Sequence, residues 1–212
     1  MNPQHQARHI AWFGKLPCVG DFCSHNMSTY LLGELDDWLS TAMQTGFDTH
    51  GTAWTRAYFD TPMHGFVWGR NTLPALREAL FVGVIMPSVD KAGRAFPFVL
   101  IEQLESEADP TLSCAALENW FSHAHAVCAD ALNEEWPLEK LNEQLKGLPN
   151  IGRAAGAEEG HDKTLAVQRE FTQWFRIDFT GQIKWVMQHH GLPREQVFGV
   201  LLGLTSQIAS TT

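Results

Sequence analysis

Two apolar runs, Phe81 to Met86 and Phe96 to Ile101, flank the polar stretch Pro87-Ser88-Val89-Asp90-Lys91-Ala92-Gly93-Arg94-Ala95. Both runs are rich in β-branched and aromatic residues, which predicts two buried strands joined by an ordered turn. Ser88, Asp90, Lys91 and Arg94 are too polar for core positions. Asp90 and Arg94 suit a charge-assisted hydrogen bond across the turn, Ser88 suits capping of local backbone donors, and Gly93 supplies permissive φ.

Elsewhere the periodicity changes. From Tyr30 to Ala42, residues Leu31, Leu35, Trp38, Leu39 and Ala42 fall on one helical face, with Ser28 and Thr29 as caps and Gly46 as a stop. Trp54 to Phe59 suits helix or strand equally, Phe66 to Gly69 reads as a short strand, and Leu73 to Ala79 as a helix leading into the Phe81 strand. After Asp109-Pro110, Leu117, Trp120, Phe121, Ala124, Val127, Cys128 and Ala131 recur at helical spacing. A further helix from Pro137 aligns Leu138, Leu141 and Leu145. Residues 149 to 163, rich in small and breaking residues, read as a mobile loop. Beyond it, Trp174 to Phe179 alternates as a half-exposed strand, Thr180-Gly181 turns it toward a strand at Ile183 to Met187, and Pro193 opens a last helix. Strands and helices interleave along the chain. That order predicts an α/β fold with a mixed β-sheet and helices on both faces, a three-layer α/β/α sandwich, with α+β as the alternative; residues 1–212 are expected to form one domain.

At 212 residues, with eight tryptophans and thirteen phenylalanines, the chain has ample material for a packed core without staples. A formal net charge of −9 and no cluster of lysine and arginine argue against nucleic acid or an anionic membrane as partner. The first nine residues have no apolar stretch resembling a leader or anchor, so a cytoplasmic location without membrane insertion is expected. Cys18, Cys23, Cys114 and Cys128 have no paired CxxC spacing and read as free buried thiols.

Gly14-Lys15 lacks the spacing and the following Ser or Thr of a phosphate loop, so Gly14, Pro17 and Gly20 read as shaping a tight strand exit. Pro87-Ser88-Val89 lacks the glycine-flanked elbow of a hydrolase nucleophile. Of His123, His125 and Cys128, only the last two share a helical face, and adjacent Asp36 and Asp37 diverge on a helix. With no catalytic constellation, no metal site and no cofactor expected, surface recognition is the default reading.

The polar turn together with Trp12-Phe13-Gly14-Lys15-Leu16-Pro17-Cys18-Val19-Gly20-Asp21-Phe22, Asp36-Asp37-Trp38-Leu39, Trp54 and Tyr58 resembles the TagF (ImpM) family of bacterial type VI secretion accessory proteins. The likeness covers about residues 10–102, with a weaker echo in Gly191-Leu192-Pro193 followed by Phe198, Leu201 and Leu202. Cys18 replaces a small hydroxyl residue of the pattern, and Lys91 stands where arginine is commoner. The resemblance implies a non-enzymatic regulator that represses secretion after translation by binding the forkhead-associated scaffold protein of the system. It also leaves two alternatives. Some relatives are fused to a serine/threonine phosphatase domain, which suggests a hydrolase acting on phosphoproteins; the other alternative is a structural assembly component. The loops Gly14 to Asp21 and Ser88 to Arg94 both follow strand ends and are expected to lie together. Lys15, Asp21, Ser88, Asp90 and Arg94 are then the partner-binding residues, unless they only hold the two loops to each other.

Overall fold

The computed structural model describes residues 8–104, 110–151, 163–178, 182–194 and 199. Its centre is a seven-stranded sheet of order β2-β1-β5-β4-β3-β8-β9. The strands are β1 (His9–Gly14), β2 (Cys23–His25), β3 (Met63–Trp68), β4 (Leu80–Met86), β5 (Phe98–Leu104), β8 (Phe171–Ile177) and β9 (Ile183–His190). A small pair, β6 (Thr111–Ser113) with β7 (Thr164–Ala166), lies apart from it. Helices α1 (Thr29–His50) and α2 (Thr52–Asp60) precede β3; α3 (Cys114–Asn133) and α4 (Leu138–Leu145) follow β6.

β4, and β5 from Phe98 to Ile101, are apolar without interruption because both faces of the sheet are covered. Alternate residues of one strand enter different cores. Trp12, Val82, Val84, Phe98 and Leu100 join Leu117, Trp120, Phe121, Ala124 and Leu141 of α3 and α4. Phe13, Phe81, Ile85, Val99 and Ile101 join Leu31, Leu35, Leu39, Trp54 and Tyr58 of α1 and α2. Burial of Leu and Phe side chains at about 1.5–3 kcal/mol each is the main term holding the layers together. The expected three layers are present, and every strand pairing in the large sheet is antiparallel. The unbroken apolar runs thus reflect double coverage, not parallel crossovers.

Gly83 and Gly65 make room inside this packing where a methyl group has no space. A Cβ on Gly83 would lie 2.3 Å from the Phe66 ring across the β3–β4 pairing, and one on Gly65 would lie 2.8 Å from Phe121 of α3.

Several elements depart from the sequence reading. Ser28 caps α1 through its hydroxyl, which accepts from Leu31 N at 3.2 Å, but the helix runs past Gly46 to a stop at Gly51 with φ +55°. Gly46 is instead a contact glycine, since its Cβ would meet Trp54 Nε1 at 1.9 Å. Trp54 to Phe59 is helical, as α2. Leu73 to Ala79 holds only a 3-10 turn at Pro74–Leu76, because Asn71 N donates back to Arg77 O at 2.6 Å and folds the segment into a closed loop before β4. The helix beginning after Pro110 starts later, at Cys114, capped by Ser113. Of the four cysteines Cys128 is fully buried, whereas Cys18, Cys23 and Cys114 are half-buried. Most of the 149–163 loop, the Thr180-Gly181 turn and the last helix lie outside the described residues.

A carboxylate on β5 fastens the layers. Glu102 on β5 accepts from Trp120 Nε1 of α3 at 2.8 Å and from Arg8 Nε at 2.7 Å, while Arg8 Nη2 reaches Pro149 O at 2.9 Å beyond α4. Among the described residues no helix is long and apolar enough to cross a membrane.

Candidate functional site

Topology brings the two motif loops together. β5 lies between β1 and β4 and is antiparallel to both, so the C-terminal ends of β1 and β4 leave the sheet at the same edge. The loop after β1 carries Lys15 to Phe22, and the loop after β4 carries Pro87 to Pro97. The exit from β1 requires glycine: Gly14 has φ +138°, and a Cβ there would sit 2.1 Å from Pro97 O.

Asp90 is the hub. Its buried carboxylate accepts from Ala92 N at 2.9 Å and Arg94 N at 3.0 Å through Oδ1, which folds the turn, and from Arg94 Nε at 2.7 Å through Oδ2. Lys15 Nζ approaches the same Oδ2 at 3.1 Å from the other loop. Burial by itself would raise this carboxyl; the amide of Arg94, the Lys15 and Arg94 side chains and the amide of Ala92 outweigh it and hold Asp90 well below the usual carboxylate range. Gly93, at φ +78°, donates its N–H to Asp90 O at 2.8 Å.

Backbone bonds complete the clasp. Ser88 Oγ donates to Lys15 O at 2.6 Å, Lys91 N donates to Val19 O at 2.8 Å, and Arg94 Nη2 donates to Gly20 O at 2.6 Å. Ser88 thus serves as a donor between loops, not as a cap of local amides. Tyr58 of α2 braces the turn from the opposite helical layer: its hydroxyl accepts from Ser88 N at 2.8 Å and donates to Ser88 O at 3.0 Å. Burial pushes this phenol above its ordinary range, and the Ser88 backbone bond opposes that shift.

The five sequence-selected residues therefore divide. Lys15, Ser88 and Asp90 are buried within the clasp. Arg94 is joined to it but keeps 60% of its side chain exposed. Asp21 is exposed and stands apart, its carboxylate accepting from the following amide, Phe22 N, at 2.8 Å, and the partner of Lys15 is Asp90. Tyr58 and Phe22 belong to the site as well. Their motif positions were visible in the sequence, but their contacts depend on α2 and on the folding back of the first loop.

The other chemical candidates stay separate. His123 is exposed and bonds Asn119 O at 2.8 Å, and among the described residues no group of three or more His, Cys, Asp or Glu is placed to hold a metal ion. A cavity of about 860 Å³ lies between α1 and the end of β9, lined by Glu34, Asp37, Trp38, His189, His190 and Arg194 among others, and contains none of the five motif residues. Trp38 donates to Pro193 O at 2.7 Å beside it, placing the Gly191-Leu192-Pro193 segment against α1; Phe198, Leu201 and Leu202 lie outside the described residues.

A doubly covered antiparallel sheet whose motif loops are clasped at one edge defines an α/β domain with an ordered loop cluster. Residues 11–148 match the model of the TagF N-terminal domain, type VI secretion system-associated, and the chain belongs to the TagF family. In fold it is similar to the crystal structure of PA0076 from Pseudomonas aeruginosa PAO1, with a TM-score of 0.73 and 22% identity over 96% of this chain and 98% of that one. No curated protein matches the sequence.

Proposed function

We propose that this protein is a non-enzymatic binding module that represses type VI secretion after translation, with the forkhead-associated scaffold protein of the system as its direct partner. Family membership supports the setting. The observation that carries the binding reading is the clasp: two motif loops from different strands are locked by the buried Lys15–Asp90 pair and the partly exposed Arg94, which presents one pre-formed surface at the sheet edge. Loops ordered before association lose little entropy on binding. The network also accounts for Lys15, Ser88 and Asp90 as positioning residues for that surface.

The test is a secretion assay in the source bacterium. Raised levels of the protein lower the amount of secreted tube subunit while its transcript and intracellular pool stay constant. A parallel fall in transcript, or unchanged secretion, defeats the repressor reading. A purified protein that dephosphorylates a phosphorylated secretion component would instead favour the hydrolase alternative.

A further inference from the structure

On the solvent side of the clasp lies a set of exposed side chains: Phe22, Lys91 and Arg94. The Phe22 ring is 46% exposed yet fixed on three sides. It stacks on Phe13 at 5.8 Å and 14°, meets Phe96 edge-on at 4.7 Å and 80°, and lies 5.0 Å beneath the Lys15 ammonium. An aromatic ring held in this way has already lost its rotamer freedom, so covering its outer side costs little ordering entropy. Arg94 is anchored by Nε on Asp90 and Nη2 on Gly20 O while most of its side chain stays in solvent. Lys91 is exposed, and its backbone is tied to Val19 O, which fixes where its side chain begins.

The charge of this patch runs against that of the chain. The two loops carry Lys15, Lys91 and Arg94 against Asp21 and Asp90, three positive charges against two negative, on a protein of net charge −9. Of the two acids, Asp90 is buried among its donors and Asp21 is turned to its own loop amide. Burial raises the Cys18 thiol of the first loop, and Glu135 and Glu139 lie close enough to raise it further. A rigid exposed aromatic beside an anchored arginine has the composition of an interface hot spot.

We propose that Phe22, Lys91 and Arg94 form the contact patch for an acidic and apolar segment of a partner protein, an apolar side chain covering Phe22 and a carboxylate bonding Arg94 and Lys91. This rests on the binding-module reading and names the chemistry of the partner.

The test is a nuclear magnetic resonance titration of the isotope-labelled full chain with the peptide acetyl-Glu-Leu-Asp-Phe-Glu-amide and with a counterpart in which lysines replace the acids. Saturable shifts confined to the amides of residues 20–22 and 91–94 are expected with the acidic peptide only. Phe22→Ser and Lys91→Glu, both outside the buried clasp, each weaken it about tenfold or more. Absence of saturable shifts, or an equal response to the lysine peptide, overturns the patch. The same variants titrated against the full-length scaffold separate the two claims. Scaffold binding that both variants retain overturns the patch and leaves the binding module standing; peptide shifts without scaffold binding uphold the patch and remove the scaffold as partner. A Phe22→Ser melting temperature equal to that of the natural protein excludes unfolding as the cause of lost binding.

Discussion

Tyr58→Phe isolates the brace between α2 and the motif turn. The substitution removes only the hydroxyl, leaving the ring stacked on Trp54 at 5.3 Å and 11° and its apolar burial unchanged. Two bonds disappear, at 2.8 Å from Ser88 N and 3.0 Å to Ser88 O. Their consequences differ. Ser88 O keeps a partner in Phe96 N at 3.0 Å, whereas Ser88 N is left buried without an acceptor. An unsatisfied buried donor costs about 1–3 kcal/mol, and the second, better compensated loss adds a few tenths. For a chain of this size that corresponds to a fall in melting temperature of about 2–12 °C. Urea unfolding gives the free energy, and native-state hydrogen exchange gives the location: the amides of Asp90, Gly93 and Phe96, all bonded inside the turn, exchange faster while those of β4 and β5 keep their protection. A stability change below about 0.5 kcal/mol, the range of an ordinary surface substitution, refutes the brace. So does acceleration spread evenly over the sheet.

Other outcomes follow from the same geometry. His64 on β3 is held at a pKa of about 4, first by burial and then by the Arg176 charge, against the Pro62 backbone bond. Its folded value lies below its unfolded one, so stability is present above about pH 6.5 and is lost as pH falls toward 4, by about 3 kcal/mol in all; His64→Gln removes that limb from a urea series. Asp90, also depressed, contributes stability that is lost only below the ordinary carboxyl range, and Asp90→Asn abolishes this lower limb while leaving Lys15 buried without an anionic partner, read as a lower melting temperature at pH 7. Gly14→Ala combines an unfavourable φ with a Cβ 2.1 Å from Pro97 O and costs more than about 2 kcal/mol, measured by thermal unfolding. Burial, reinforced by Cys18, pushes the Cys23 thiol up to about 11, so only about 0.1% is ionised at pH 8 and iodoacetamide labels it far more slowly than free cysteine.

The layers and most strands were legible because hydrophobic period survives in the sequence, as at Leu31, Leu35 and Leu39 of α1 or Phe81 to Met86 of β4. Strand direction was not, since an antiparallel strand covered on both faces shows the same unbroken apolar run as a parallel one. Glycine was the most ambiguous letter. Gly14 and Gly93 do shape turns, whereas Gly46 lies inside α1 because Trp54, distant by eight residues and in another helix, occupies the place of its Cβ. The helical spacing of Leu73 to Ala79 was overridden by the Asn71–Arg77 closure, a tertiary bond that no local pattern encodes. At the site, the Asp90–Arg94 bond was readable from a spacing of four within one turn. The Lys15–Asp90 pair spans 75 positions and follows only from β1 and β4 flanking β5. Tyr58 and Phe22 were visible as motif letters, but the brace and the exposed ring appear only when α2 and the first loop are in place.

The most direct measurement of the central claim is a calorimetric titration of the purified protein with the forkhead-associated scaffold from the same genome, in physiological salt, followed by the Phe22→Ser and Lys91→Glu variants. The account predicts saturable binding by the natural protein and weakened binding by both variants, each still folded by its melting curve. No heat of binding from the natural protein contradicts the scaffold as partner, and variants that bind as tightly as the natural protein contradict the clasped loops as the binding surface.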